Sequence, residues 1–183
     1  MVGMTTRGPR VLQEEELLSS EHHGHGRDPQ HDLERVYADS APKLWRALYG
    51  YTGGRRHLAE DAVAEAFARA IEHTGEIRRP VPWIYRTAFR IATRELQGER
   101  RTPPAPPDPV PGLDPADVQE LLDALRTLSR NQRAAVLLHD EEGFTTFEVA
   151  RMLGMSAATV RVHLFRARAR LRDLLGGEEE DDD

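Results

Sequence analysis

The chain has 183 residues, 39% hydrophobic and 31% charged, with no cysteine and a formal net charge of −6. That length suits one domain or two small ones, and the absence of cysteine excludes a disulfide framework or a thiolate zinc site. No apolar run approaches the ~20 residues of a membrane span, and the short acidic stretch VLQEEELL lacks a signal-peptide core, so a cytoplasmic protein without membrane insertion is expected.

The negative total hides a division along the chain. Residues 31–101 carry 13 basic and 10 acidic side chains, and residues 144–175 carry 6 and 2. Residues 113–143 are acidic, and the chain ends in EEEDDD. Nucleic-acid binding depends on where basic charge is concentrated, not on the total, so a net charge of −6 does not exclude DNA.

Residues 1–30 are rich in Gly, Glu and His without sustained periodicity and read as a largely disordered tail. His22, His23 and His25 beside Glu21 and Asp28 read as polar tail rather than a metal site, because a floppy His-x-His lacks the outer partners that fix a ligand set. No metal or cofactor is expected anywhere in the chain.

Residues 31–101 are helical in pattern. Leu33, Val36 and Tyr37 begin one helix, and Leu44, Trp45, Leu48 and Tyr49 continue in a second, ended by Gly53-Gly54. A third helix buries Ala59, Ala62, Val63, Ala66, Phe67, Ala70 and Ile71 at i, i+3, i+4, i+7 spacing. Its other face sets Asp61, Glu65 and Glu72 in line with Ala68, which is either solvated surface or a docking edge for a basic partner. The loop GEIRRPVP follows, with Pro82 opening the next helix. That fourth helix, from Trp83 to about Arg101, buries Ile84, Tyr85, Ala88, Phe89, Ile91, Ala92 and Leu96. Its opposite side carries Arg86, Arg90, Thr93, Arg94 and Gln97, arginines interleaved with hydrogen-bonding side chains, which suits nucleic acid. Arg78, Arg79 and Trp83 at its start either hold an unpaired base or, for the tryptophan, belong to the core.

Residues 102–112, TPPAPPDPVPG, read as a stiff linker of roughly 35 Å and a domain boundary. Asp114 then caps a helix with Pro115 in its first turn, burying Val118, Leu121, Leu122, Leu125 and Leu128. Ser129 and Gln132 form a capping box before Val136, Leu137 and Leu138. An acidic turn, Asp140 to Gly143, leads into TTFEVARMLGMSAATVRVHLFRARARLRDLL (145–175), which reads as a helix-turn-helix. Thr145 and Glu148 have capping-box spacing; Ala150 lets the helices approach, Gly154 takes the left-handed turn, Ser156 caps the second helix and Val160 plugs it onto the first. Val160, Leu164, Ala167, Leu171 and Leu174 form an apolar stripe. Five arginines and one acid between Arg161 and Asp173 leave a guanidinium-rich surface suited to guanine edges and phosphates. The segment therefore reads as a DNA-reading element. Residues 176–183 read as a solvated acidic tail.

Three stretches resemble a known family. AEDAVAEAFARA (59–70), PWIYRTAFRIATRELQGERR (82–101) and LSRNQRAAVLLHDEEGFTTFEVARMLGMSAATVRVHLFRARARLR (128–172) are similar, in order, to the signatures of bacterial sigma factors of the extracytoplasmic function group. The resemblance implies an all-α fold of two small helical domains, region 2 at 31–101 and a region 4 helix-turn-helix at 113–175, joined by the Pro-rich linker. It implies a protein that is not an enzyme but binds core RNA polymerase and directs promoter recognition, melting and initiation. By family position, Asp61, Glu65, Ala68 and Glu72 meet the polymerase. Arg78, Arg79, Trp83, Arg86, Arg90, Thr93, Arg94 and Gln97 meet the promoter element near the start site. Ser156, Arg161, Val162, Phe165, Arg166 and Arg168 meet the distal element, with Ser156 and Arg168 on phosphate. Ala64, Val162 and His163 depart from the common pattern. Members are often held by an anti-sigma partner, and nothing in the sequence identifies one. The competing reading is a stand-alone helix-turn-helix regulator that works without core polymerase, with the first domain as a sensor or dimerisation module.

Overall fold

The computed structural model describes residues 29–98 and 114–176; the expected linker, the acidic tail past Gly176 and nearly all of the N-terminal tail lie outside the described residues. Among the described residues the chain is all-α. Its helices are α1 (Pro29–Tyr51), α2 (Arg56–Glu72), α3 (Pro80–Gly98), α4 (Pro115–Arg126), α5 (Arg130–Val136), α6 (Thr146–Leu153) and α7 (Ala157–Leu175), with a π-helical turn over Leu137–Glu141 after α5.

The first two expected helices are one. Pro42 lies inside α1, where a proline removes a backbone hydrogen bond at a cost of about 3 kcal/mol. The stripe Leu33, Ala41, Leu44, Ala47, Leu48 and Tyr51 is buried on both sides of it, and each large apolar side chain so buried returns about 1.5–3 kcal/mol. Burial wins and the helix runs through. It stops at the glycine pair. Gly53 and Gly54 have φ of +70° and +86°, and the amides of Gly54 and Gly53 bond the carbonyls of Tyr49 (2.9 Å) and Gly50 (3.1 Å), a Schellman ending that favours glycine.

α1, α2 and α3 form the first unit. Ala59, Ala62, Ala66 and Ala88 are completely buried, so the three backbones approach closely around Leu44, Leu48, Phe67, Ile84 and Phe89. Ile71 is instead 61% exposed, while Ala70 in the same last turn of α2 is buried, so that turn meets the core through Ala70 and points Ile71 outward. α3 starts at Pro80, two residues before the expected Pro82, since a first-turn proline has no intrahelical N–H bond to lose. Leu96 is only half-buried.

The second unit is assembled by its caps. The Asp114 carboxylate accepts from the Ala116 amide at 2.8 Å, Ser129 with Gln132 and Thr145 with Glu148 close reciprocal capping boxes, and the Ser156 hydroxyl accepts from the Thr159 amide at 3.0 Å. Gly154 turns α6 into α7 at φ +69°, and Val149, Val160, Leu138 and Ala167 close the core between them. Leu121 and Leu174 lie outside it, at 49% and 41% exposure, and Leu171 is half-buried; α7 meets the rest of the unit through Val160, Leu164 and Ala167. A Cβ at Gly154 would meet nothing within 4 Å. Gly154→Ala is therefore expected to cost only backbone strain, about 1–2 kcal/mol, seen as a lower urea midpoint with an unchanged slope.

The sequence suggests two grips held apart, whereas the two units pack against each other. The C-terminal end of α1 receives two guanidiniums from the second unit. Arg126 donates twice to the Gly53 carbonyl, at 3.1 and 2.8 Å, and Arg133 donates to the Tyr51 carbonyl at 3.0 Å. These are carbonyls past the last helical bonds, at the negative end of the α1 dipole. Around them α4 closes so tightly that a Cβ on Gly54 would lie 3.0 Å from Leu122, and one on Gly50 3.2 Å from Leu125. The buried side chains of both units form one continuous core.

Candidate nucleic-acid interface

α3 presents its arginines because its apolar arc is consumed by the core. Arg86, Arg90, Arg94 and Gln97 are exposed along one side, with Arg78 and Arg79 in the turn before the helix. Trp83 is half-buried, its ring 6.3 Å from His73 in an edge arrangement. Thr93 stands differently: its hydroxyl donates to the Phe89 carbonyl at 2.6 Å and pairs with the Tyr51 hydroxyl at 2.7 Å, so it is engaged within the first unit. Arg69, which the sequence reading omits, joins Trp83, Arg86, Arg90 and Arg94 around an open cleft of about 600 Å³. Its signal is local, since Arg69 lies four residues after Glu65 and pairs with it.

On α7, Val160, Leu164 and Ala167 face inward, and all of Ser156, Arg161, Val162, Phe165, Arg166 and Arg168 are exposed. Phe165 is 73% exposed and Val162 47%, unusual for apolar side chains flanked by guanidiniums and fitting contact with a thymine methyl or base edge. Ser156 already caps α7. Arg168 forks onto the Asp140 carboxylate, with Nε at 2.9 Å, and this pairing raises its pKa above the ordinary arginine value. That fork uses Nε and Nη2 and leaves Nη1 for another acceptor.

On α2, Asp61, Ala68 and Glu72 are exposed and Glu65 is half-buried, sharing one side with Ala64. Glu65 is paired with Arg69, and the Arg94 guanidinium lies 4.0 Å away, so the acidic ridge and the basic side of α3 adjoin. Among the described residues no cluster of His, Cys, Asp or Glu is arranged to hold a metal, and no helix is long and apolar enough to cross a membrane.

Residues 36–102 match the family model of sigma-70 region 2, and residues 118–171 match that of sigma-70 region 4. The chain is 31% identical over 162 residues to the RNA polymerase sigma factor CarQ of Myxococcus xanthus, covering 80% of this chain and 91% of CarQ. The chain belongs to the extracytoplasmic function group of the sigma-70 family. This sigma factor is also 35% identical over 126 residues to SigM of Mycobacterium tuberculosis, covering 64% of each chain. It spans 34% of the length of a sigma-factor relative from Xanthomonas campestris. The fold matches RpoE of Bartonella quintana, solved in complex with the anti-sigma factor NepR, with a TM-score of 0.68 at 22% identity over 80% of this chain and 98% of that one. From Val36 onward the α1–α3 unit lies within the region 2 match, and most of the second unit lies within the region 4 match, so the helix-turn-helix does not stand alone.

Proposed function

We propose that this sigma factor binds core RNA polymerase and directs it to promoters, with 31–101 as the unit for polymerase and the proximal element, 113–175 as the unit for the distal element, and 102–112 as the tether. The observation that carries the reading is two separate arginine-lined helices, α3 and α7, one in each matched region. Two weak contacts on one chain gain a high effective concentration only when the spacing of their sites fits. A strand can be trapped open beside α3 because capturing an unstacked base offsets a melting cost of a few kcal/mol.

In this proposal Asp61, Glu65, Ala68 and Glu72 dock the polymerase. Arg78, Arg79, Trp83, Arg86, Arg90, Arg94 and Gln97, with Thr93 behind them, hold the proximal element. Arg161, Val162, Phe165 and Arg166 read the distal one, with Ser156 and Arg168 beside phosphate. The protein acts in the cytoplasm as a non-catalytic initiation factor, and an anti-sigma partner belongs to the same proposal. The test is retention of the chain by core polymerase followed by transcription from a promoter library; a chain that ignores the core yet binds DNA unaided overturns it. Arg90→Ala is expected to leave retention intact and to reduce opening at the proximal element by about tenfold, the loss of roughly one charged contact. Permanganate reactivity of unpaired thymines measures it.

A further inference from the structure

Along α7 runs an open groove of about 810 Å³. Arg161, Arg168 and Arg172 line it, Leu164 forms its apolar floor, and His139 and Thr146 stand on its other side. No carboxylate lines it among the described residues. Arg168 holds the Asp140 carboxylate with Nη1 left open, and neither Arg161 nor Arg172 has an acidic partner among the described residues. A row of anions fits such a groove, because guanidiniums fork onto carboxylate and phosphate alike.

The chain carries such a row. α7 ends at Leu175, where the Gly176 amide bonds the Arg172 carbonyl at 2.8 Å, and residues 178–183 are three glutamates followed by three aspartates. The seven residues after Gly176 span about 23 Å when extended. Arg172, Arg168 and Arg161 lie about 6, 12 and 22 Å back along the helix from Gly176, so the segment reaches all three. Its charge spacing, about 3.3 Å per carboxylate, matches that of one DNA strand, about 3.4 Å per phosphate.

We propose that the α7 groove is a docking site for the chain's own acidic segment, residues 178–183, which lies along Arg172, Arg168 and Arg161 in place of a DNA strand and competes with the distal element. The inference rests on the distal-element reading of α7 and goes beyond it by naming a competitor on the same chain. Tethering selects the occupant. A segment joined to the helix by two glycines acts at an effective concentration in the mM range, so it outcompetes an untethered acidic peptide at micromolar levels. The contact is between exposed charges, so salt screens it as the Debye length falls from about 10 Å at 0.1 M to about 3 Å at 1 M.

The chain lacks cysteine, so Asp183→Cys gives one nitroxide site on the full chain and keeps five of the six carboxylates. At about 0.05 M salt the label is expected to broaden the amide signals of Thr146, Leu164 and Arg168 and to spare α2, and about 1 M salt to restore them. A second chain, with Glu178, Glu179 and Glu180 changed to Gln and Asp181, Asp182 and Asp183 changed to Asn, keeps the length and loses the charge. It is expected to bind a labelled 20-base-pair duplex of mixed sequence about tenfold more tightly than wild type at about 0.05 M salt, and less than about twofold more tightly at 0.3 M. Broadening confined to the residues next to the label, or centred on α3, overturns the docking whatever the duplex affinities. Equal duplex affinity for the two chains at low salt overturns the competition. A neutral-tailed chain that binds no duplex overturns the reading of α7 instead, and the broadening still decides the docking.

Discussion

Arg133→Ala is expected to lower the unfolding free energy by about 3 kcal/mol. The side chain lies in the seam between the units. Its Nη1 donates to the Tyr51 carbonyl at 3.0 Å, and its Nη2 to the carbonyls of Arg126 and Leu128, each at 3.2 Å. One planar guanidinium thus ties the end of α1 to the turn between α4 and α5, a geometry that a lysine ammonium does not reproduce. Burial, with Arg126, Arg55 and Arg130 nearby, pulls its pKa below the ordinary arginine value. Truncation leaves three carbonyls without their donor, and a buried unsatisfied group costs about 1–3 kcal/mol. Water entering the vacated space recovers part of that. For a chain of this size the loss corresponds to a melting temperature lower by about 6–12 °C. Arg133→Met restores the packing of the stem but none of the donors, so it is expected to fall between wild type and alanine. Denaturant titration followed by circular dichroism checks both, and an alanine variant within about 0.5 kcal/mol of wild type, the range of an ordinary surface substitution, overturns the role.

What the sequence makes legible here is local. Asp114, Ser129 with Gln132, Thr145 with Glu148, and Ser156 all act within three residues, so the residue types and spacing determine the bonds whatever surrounds them. Gly154 is legible for the same reason, since the left-handed turn selects it. The exposed arginine faces of α3 and α7 follow from the apolar arcs opposite them. Misreadings begin where the answer depends on what lies across the helix. The break expected between Tyr37 and Leu44 is absent, because the stripe buried on either side of Pro42 carries α1 through it. Ile71 and Leu121 fit their stripes in spacing but not in cover, because no helix lies over them. The pairs Arg168–Asp140 and Arg79–Glu148 join residues 28 and 69 positions apart. No periodicity encodes such partners. Thr93 shows the limit within a site: its place on α3 suggests contact with DNA, and the Tyr51 hydroxyl beside it determines where its own hydroxyl points.

Arg161→Ala/Phe165→Ala is expected to remove about 2–5 kcal/mol of discrimination at the distal element, each side chain contributing about 1–3 kcal/mol. The two lie four residues apart on one exposed side of α7, so their effects need not add. Stability is expected to change by less than about 0.5 kcal/mol, because neither side chain belongs to the core and alanine is a better helix former than phenylalanine. That contrast gives the test its power: a variant that folds as well as wild type but reads poorly has lost contacts, not structure. Transcription from promoters with intact and scrambled distal elements, using the same core polymerase, separates the two terms. The variant should treat both promoters alike, while wild type prefers the intact one. An equal drop on both would place Arg161 and Phe165 on the DNA backbone, where contacts position the protein without carrying sequence information, and would leave base reading to Val162 and Arg166.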